Sequence, residues 1–124
     1  MKVTGHIRAD APVISSRIRG GVLHLGVPGG AEFVVDTGFS GAFVVPQRIA
    51  AALKVDFAGY DRFTLATGEP VELPVYAATV RIGRRIVRTW LTIGEALIGM
   101  EFLRQACERL EADFDAETID LLLR

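Results

Sequence analysis

The chain is predicted to form a single, mostly β domain over residues 1–124, with two short helices. Its length of 124 residues fits one domain. Half of the residues are hydrophobic and 23% are charged, which is typical of a chain that buries a core rather than of a disordered one. Short runs rich in Val, Ile and Phe alternate with Gly and Pro, which is the pattern of strands separated by turns.

Four strands and one helix are predicted in the first half of the chain. Gly20-Gly21 and the run from Pro28 to Gly30 are turn signals between the first three strands. Pro46 ends the fourth strand and can begin a helix, because the first helical residue does not need its N–H. Ile49 and Leu53 lie one helical turn apart, which predicts a helix over 47–53. The predicted strands are 12–19, 22–27, 31–35 and 43–45.

Three hairpins and a second helix are predicted in the second half. Residues 62–65 and 71–73 flank Ala66-Thr67-Gly68-Glu69, and residues 76–82 and 86–93 flank Gly83. A short helix over 100–107 follows Gly99. Polar and apolar residues alternate over 109–114, which predicts a last hairpin with 118–123.

Composition and local sequence limit which partners, cofactors and cellular compartment are expected. A net charge of −1 gives no electrostatic reason to expect nucleic acid or an anionic membrane as partner. No run approaches the roughly 20 apolar residues of a membrane span, and residues 1–10 lack the apolar core of a signal peptide. Cys107 is the only cysteine, which favours a reducing cytoplasm. His6 and His24 have no partner at ligand spacing, so neither a metal nor another cofactor is expected.

The run from Phe33 to Gly41 is the segment most indicative of chemistry. In it an apolar strand ends at Asp36, and Thr37 and Gly38 follow at once. Asp-Thr-Gly alone is an ordinary turn sequence. Here, however, a second apolar run, 42–45, follows the tripeptide and ends at Pro46. Some sixty residues downstream comes Leu97-Ile98-Gly99, followed by the second predicted helix.

With these motifs the sequence resembles the retropepsin-like aspartic proteases, and most of all their small bacterial members. The resemblance runs from about Pro12 to the C-terminus and implies a closed, barrel-like acid-protease fold. It also implies an endopeptidase that acts on extended peptides, with Asp36 as the catalytic carboxylate. Thr37 would then bond across a dimer axis, and Gly38 would let the substrate backbone pass close to the acid. Leu97, Ile98 and Gly99 would pack behind the Asp36 loop, with Gly99 permitting a close backbone approach. On their own merits these three residues could merely be the end of a strand with a Gly terminator.

A homodimer follows from the number of acids that the chemistry needs. Peptide hydrolysis by carboxylates uses two acids that share one proton. The chain has one Asp-Thr-Gly, and its other aspartates lie in polar or turn contexts. A second copy would supply the second acid with two-fold symmetry. By the resemblance, residues 1–10 and 108–124 are candidates for the subunit interface.

The predicted substrate contacts each have an ordinary structural alternative. Ala66, Thr67, Gly68 and Glu69 are expected to form a flap over bound peptide, or merely a hairpin loop. Phe39 stands where many members of the family have Ala or Ser; it could shape a subsite or be a core or pocket-wall aromatic. Ser40 could bond the carboxylate or satisfy the turn backbone.

The sequence leaves more than one interpretation open for the role of two further features and for the function of the chain. Trp90 could belong to the core, the dimer contact or the pocket. The arginines around Gly83 are expected to be the solvated end of a hairpin, and the alternative is a role in binding acidic peptides or nucleic acid. The alternative to an endopeptidase is a non-catalytic peptide-binding or dimerisation module with the same fold.

Overall fold

The structure is a computed structural model that describes residues 1–65 and 67–124. Within these residues it is mostly β, as predicted, with two short helices. No helix in this part of the chain is long and apolar enough to cross a membrane. The elements are β1 Lys2–Arg8, β2 Ala11–Arg19, β3 Val22–Leu25, β4 Glu32–Val35, β5 Phe43–Val45, α1 Gln47–Ala50, β6 Val55–Thr64, β7 Pro70–Ile82, β8 Arg85–Ile93, β9 Leu97–Ile98, α2 Met100–Ala106, β10 Cys107–Asp113 and β11 Thr118–Leu123.

One sheet connects the strands in the order β10-β11-β1-β2-β3-β7-β8-β5-β9-β4, with β6 beside β7. The last strand in this order, β4, also pairs with β2, which lies in the middle of the order and pairs with β3 as well. The first half of β2 lies beside β4, through Val13↔Val34, and the second half lies beside β3, through Arg17↔His24. The sheet therefore curves around a common interior.

The short strand β9 sets the position of the candidate site. It runs parallel to β4 on one side, with Val35 opposite Ile98, and antiparallel to β5 on the other, with Phe43 opposite Ile98. Strands distant in sequence thus meet at one point, since about sixty residues separate β4 from β9. The end of β4 and the start of α2 are consequently neighbours.

Aromatic rings fill the core directly beneath this point. Phe33, Phe43 and Phe102 are fully buried. The ring centroids of Phe33 and Phe43 lie 5.9 Å apart in an edge-to-face arrangement, and those of Phe43 and Phe102 lie 4.6 Å apart. Each such pair stabilises the fold by about 0.5–1.5 kcal/mol beyond the burial of its area. β4, β5 and α2 are therefore joined through their side chains as well as through the sheet.

Several boundaries differ from those predicted. The helix predicted over 47–53 ends at Ala50 and continues as turns, and Cys107 already belongs to β10. Two strands lie where none is predicted: β1 and the first half of β6.

β7 also passes through Pro74, where a break between two hairpins is predicted. The Pro74 carbonyl accepts a hydrogen bond from Thr92 Oγ1 at 2.9 Å, so its backbone polar atoms face β8. The β7–β8 ladder begins only at Tyr76, so the missing N–H of proline interrupts no ladder bond there.

Candidate active site

Asp36 begins the loop that directly follows β4. Its N–H donates to the Ile98 carbonyl at 2.9 Å, which extends the pairing of β4 with β9 by one residue. Its carboxylate oxygen Oδ1 accepts the N–H of Gly38 at 2.9 Å, and its carbonyl accepts the N–H of Phe39 at 3.1 Å. Asp36 is half-buried, whereas Thr37 and Gly38 are exposed. The backbone thus holds the carboxyl group in place while solvent reaches the loop.

The start of α2 holds the rest of the loop. Gly99 N–H donates to the Ala42 carbonyl and Met100 N–H to the Phe39 carbonyl, each at 2.8 Å. Glu101 N–H donates to the Gly41 carbonyl at 3.1 Å. These bonds, with the pairing of β9 to β4 and β5, place Leu97, Ile98 and Gly99 against the Asp36 loop.

Position 99 must be glycine because the surrounding backbone leaves no room for a Cβ atom. A Cβ at this position would overlap the Gly41 carbonyl oxygen and lie 2.8 Å from the Phe39 carbonyl oxygen. Real Cβ atoms do not approach backbone that closely, and backbone on both sides leaves little room to yield. Its φ of −103° is open to any residue, so the need for glycine is steric and not conformational.

A groove of about 600 Å³ opens beside the loop. Thr37, Gly38 and Ser40 form one wall. The other wall consists of side chains from α2 and the C-terminus: Met100, Glu101, Arg104, Gln105 and Arg124. The groove therefore presents both charge signs next to the exposed backbone of the loop.

The hairpin of β6 and β7 carries the predicted flap. Leu65 N–H donates to the Glu69 carbonyl at 2.9 Å, and Gly68 N–H donates to the Leu65 carbonyl at 2.8 Å. Thr67, Gly68 and Glu69 are exposed, and Gly68 has a φ of +87°, which favours glycine. Ala66, also predicted to contact substrate, lies outside the described residues.

Phe39 points into an aromatic cluster that also contains Phe63 of β6 and Trp90 of β8. The centroids of Phe39 and Phe63 are 6.1 Å apart, and those of Phe63 and Trp90 are 5.8 Å apart. A Cβ on Gly41 would lie 2.5 Å from Phe39 Cζ and 2.8 Å from Trp90 Cη2, so this glycine makes room for both rings. All three rings are half-buried.

The sequence analysis gives Phe63 no role and leaves Trp90 open between the core, the dimer contact and the pocket. Their contact joins residues 27 positions apart on strands that are not neighbours, because β7 lies between β6 and β8. Alternation along β8 could show which face Trp90 occupies, but not what it meets.

Two titratable groups outside the Asp36 loop, Asp120 and Cys107, have shifted pKa values. Hydrogen bonds from Thr4 and Lys2 lower the pKa of Asp120, whose oxygens accept them at 2.6 and 3.2 Å. Burial raises the pKa of the Cys107 thiol, against the opposing charges of Arg124 and Arg85. Cys107 is thus held as a neutral thiol, which suits a structural residue.

Comparison with protein families, with curated proteins and with solved structures finds no match for this chain. Function is therefore inferred from the geometry and chemistry of the Asp36 loop, the groove and the hairpin.

Proposed function

We propose that the chain is an aspartic endopeptidase of the retropepsin-like type, active as a homodimer with one Asp36 from each subunit. One observation carries this proposal. The carboxyl group of Asp36 is half-buried at the end of an apolar strand, inside a loop that backbone hydrogen bonds hold to β9 and α2. A catalytic acid needs this combination of fixed geometry and access to solvent.

The strand pairing supports a closed barrel as the fold. The ladder runs from β2 through β3, β7, β8, β5, β9 and β4 and returns to β2. Such closure leaves no free edge among these strands. We propose that this ring of strands is the barrel implied by the resemblance to acid proteases, with the Asp36 loop at one end.

The chemistry would proceed through a shared proton. Two carboxylates about 3 Å apart cannot both be ionised, so the pair holds one proton between them. The ionised member takes a proton from a bound water, whose oxygen adds to the scissile carbonyl carbon. The protonated member gives its proton to the carbonyl oxygen. In the breakdown step the first carboxyl group gives the proton that it took from water to the nitrogen, and the second takes a proton from a hydroxyl of the tetrahedral species. The C–N bond then breaks, and the pair again holds one proton.

Thr37 and the hairpin would complete the site. Thr37 is exposed next to Asp36, where a two-fold axis through the paired acids would also bring the two Thr37 residues together. The exposed tip at Thr67 and Gly68 could close over an extended peptide and exclude water from it. The substrate is therefore an extended peptide or an unfolded segment of a protein.

The proposal is tested by incubating the purified protein with a diverse peptide mixture over a range of pH. We expect cleavage with a maximum at intermediate pH, because only the singly protonated pair is active. Asp36→Asn should lower the rate by at least about a hundredfold, the usual size of an acid–base contribution. Asp61→Asn is the matched control, since Asp61 is exposed and its carboxylate bonds only a neighbouring backbone N–H in the described part of the chain.

Cleavage that survives Asp36→Asn unchanged would contradict the proposal. Saturable peptide binding without cleavage by the unaltered protein would instead identify a peptide-binding module. Both outcomes are read in one experiment, if mass spectrometry of the peptides is combined with a binding measurement.

A further inference from the structure

Basic side chains gather on the outer side of the sheet, across β2, β3 and β7. Arg17 lies opposite His24, and His24 lies opposite Arg81. Residues that lie opposite one another on paired strands point to the same side of the sheet, so these three side chains form one row. Their neighbours along the strands, Leu23 and Val80, belong to the buried core. The row therefore faces outward.

A second row lies two residues further along the same strands. Arg19 is opposite Val22, and Arg88 of β8 is opposite Thr79. Because alternate residues of a strand share a face, this row lies beside the first one on the outer side. Lys54 adds a further cation, since it lines a groove of about 520 Å³ together with Val22, Thr79 and Arg88. We call this surface the basic face: Arg17, Arg19, His24, Lys54, Arg81 and Arg88.

The basic face has few opposing charges of its own. Among the residues that the structure describes, Arg88 is its only member in an ion pair, with Asp56 at 2.9 Å. The side chains of this pair are 55% and 82% exposed, and a pair so open to solvent contributes little to stability. The other arginines and Lys54 are exposed as well. Like charges held this close repel one another, and an anionic partner would relieve that repulsion.

The apolar residues on this surface favour an acidic peptide as the anion over a nucleic acid. Ile86 lies opposite Arg81 and is 67% exposed, and Val22 lies between the charges of the second row. A peptide can offer carboxylates and apolar side chains together. A single-stranded nucleic acid instead offers phosphates and bases, and proteins bind the bases by stacking them on aromatic rings. The basic face contains no Phe, Tyr or Trp.

The basic face is continuous with the candidate active site. Trp90 follows Arg88 by two residues on β8, about 7 Å along the strand, and lies on the same face. Trp90 in turn contacts Phe63 in the arm of the hairpin and lies beside Gly41 in the Asp36 loop. The rows span the spacings between four strands, about 14 Å, which is the length of about four residues of extended peptide. A chain that leaves the site along β8 therefore reaches the basic face.

We propose that the basic face binds an acidic segment of a polypeptide and thereby selects substrates with Asp or Glu a few residues away from the scissile bond. The binding stands on this surface alone, whereas its effect on cleavage rests on the proposed function. Carboxylates of the segment would pair with Arg17, Arg81 and Arg88. Apolar side chains of the segment would cover Ile86.

The first test measures binding in an Asp36→Asn background, which prevents cleavage of the probe. The probe is the fluorophore-labelled peptide Glu-Leu-Glu-Glu-Leu-Glu, and its counterpart has Gln in place of Glu. We expect saturable binding of the Glu peptide, and weaker binding as salt rises from about 50 to about 200 mM, because salt screens exposed charges. The Gln peptide should bind more weakly at every salt concentration.

A pair of double variants locates the binding surface. Arg17→Gln combined with Arg81→Gln should weaken binding of the Glu peptide about threefold to tenfold, the range expected for the loss of two exposed charge pairs. Arg48→Gln combined with Arg109→Gln is the matched control, because it removes the same charge from exposed residues of other elements. All four residues are exposed, so unfolding in urea should show equal stability of the two variants.

The second test measures cleavage preference. Two peptides share one cleavage site and differ in a Glu-Glu or a Gln-Gln pair that lies three to five residues from it, placed in turn on each side. We expect a higher kcat/KM for the Glu-Glu peptide on one of the two sides. Arg17→Gln with Arg81→Gln should lower that preference about threefold to tenfold and leave cleavage of the Gln-Gln peptide unchanged.

Other occupants of the basic face would give different results. Tighter binding of a twelve-nucleotide oligothymidylate than of the Glu peptide, lost in Arg17→Gln with Arg81→Gln, would overturn the proposal in favour of nucleic acid. Salt-sensitive association of the chain beyond a dimer, lost in the same variant, would assign the surface to a second copy. Equal binding of the Glu and Gln peptides would overturn the proposal outright.

The outcomes also separate the basic face from the proposed catalysis. Selective binding of the Glu peptide without cleavage of any peptide by the unaltered protein would support the basic face and overturn the proposed function. Cleavage without a preference for Glu, and without weaker binding in Arg17→Gln with Arg81→Gln than in its control, would overturn the basic face and leave the protease intact. Neither binding nor cleavage would overturn both.

Discussion

The Asp36 loop and the hairpin tip are both exposed turns, yet the molecule holds them very differently. The loop exchanges backbone hydrogen bonds with β9 and α2, through Asp36, Gly99, Met100 and Glu101. In the described part of the tip, the backbone bonds of Leu65 and Gly68 stay within the tip itself. One turn is therefore anchored by distant parts of the chain, whereas the other is supported only by its own hairpin.

Because of this difference, the Asp36 loop can hold a side chain in a fixed position, whereas the hairpin tip can move. A reacting carboxyl group must keep its position to within a fraction of an ångström, which needs contacts from several elements. A lid must open and close at little cost, which needs few contacts outside itself. Both turns contain a Thr-Gly pair, Thr37-Gly38 and Thr67-Gly68, so this pair alone does not create the contrast.

Hydrogen exchange should show the largest difference between the two turns. Amide protons of Asp36, Met100 and Glu101 should exchange at least about a thousandfold more slowly than that of Gly68, because they open only with larger parts of the fold. A peptide-like inhibitor should slow exchange at Gly68 and leave the other three unchanged. Equal protection in both turns without ligand would remove the contrast.

Alanine substitution at the two glycines should give the next largest effect. Gly99→Ala is expected to lower the free energy of unfolding by about 2–3 kcal/mol, because its Cβ would press on backbone of the Asp36 loop. Gly68→Ala should cost only about 1 kcal/mol, from its positive φ, since no atom of the residues that the structure describes lies within 4 Å of the added Cβ.

Chemical unfolding of the two variants measures this comparison directly. Gly99→Ala should also disturb the protection of the Met100 and Glu101 amides, whereas Gly68→Ala should leave them intact. A larger loss of stability in Gly68→Ala than in Gly99→Ala would mean that the tip, and not the acid loop, is the more tightly packed turn.

Asp120 lies opposite Thr4 in the β1–β11 pair, outside both turns, and should give the smallest effect. Thr4 and Lys2 lower the pKa of this carboxyl group in the folded chain. A lowered pKa means that the ionised form adds stability above the unfolded pKa of about 3.9, and that this stability is lost as the pH falls through the folded value. Asp120→Asn should therefore shift the urea midpoint downward at pH 7.

The shift should shrink below about pH 4 as the carboxyl group of the unaltered protein becomes protonated. Asp115→Asn, in the turn of the same hairpin, is a control for the loss of an exposed charge. A midpoint difference that grows as the pH falls would have the wrong sign for a lowered pKa. Exchange in the two turns should not respond to Asp120→Asn at any pH.

Local sequence signals account for much of the fold and for the position of Asp36. The apolar run before Asp36 forms β4, the run after it forms β5, and turn residues lie at most of the predicted boundaries. No local sequence pattern predicts that Gly99 lies behind the loop, and only the family resemblance implies it. β9 is two residues long, and long-range pairing determines its neighbours.

The features that local sequence patterns fail to predict have identifiable physical causes. The first half of β6 is largely exposed, and a bulge between Phe57 and Gly59 breaks the alternation that identifies a strand. Gly59 has a φ of +112°, which such an irregularity can require. The contacts of Phe63 and Trp90 depend on the curvature of the sheet, which no local pattern encodes.

Subunit mixing tests the central claim, that the site is shared by two copies of the chain, most directly. A fixed amount of unaltered protein is equilibrated with increasing amounts of Asp36→Asn, and cleavage is measured per unaltered chain. Random exchange at equal amounts should reduce this activity to about half, because half of the unaltered chains then have a partner without its acid. Activity that stays constant at every ratio would show that each chain acts alone, and would contradict the account.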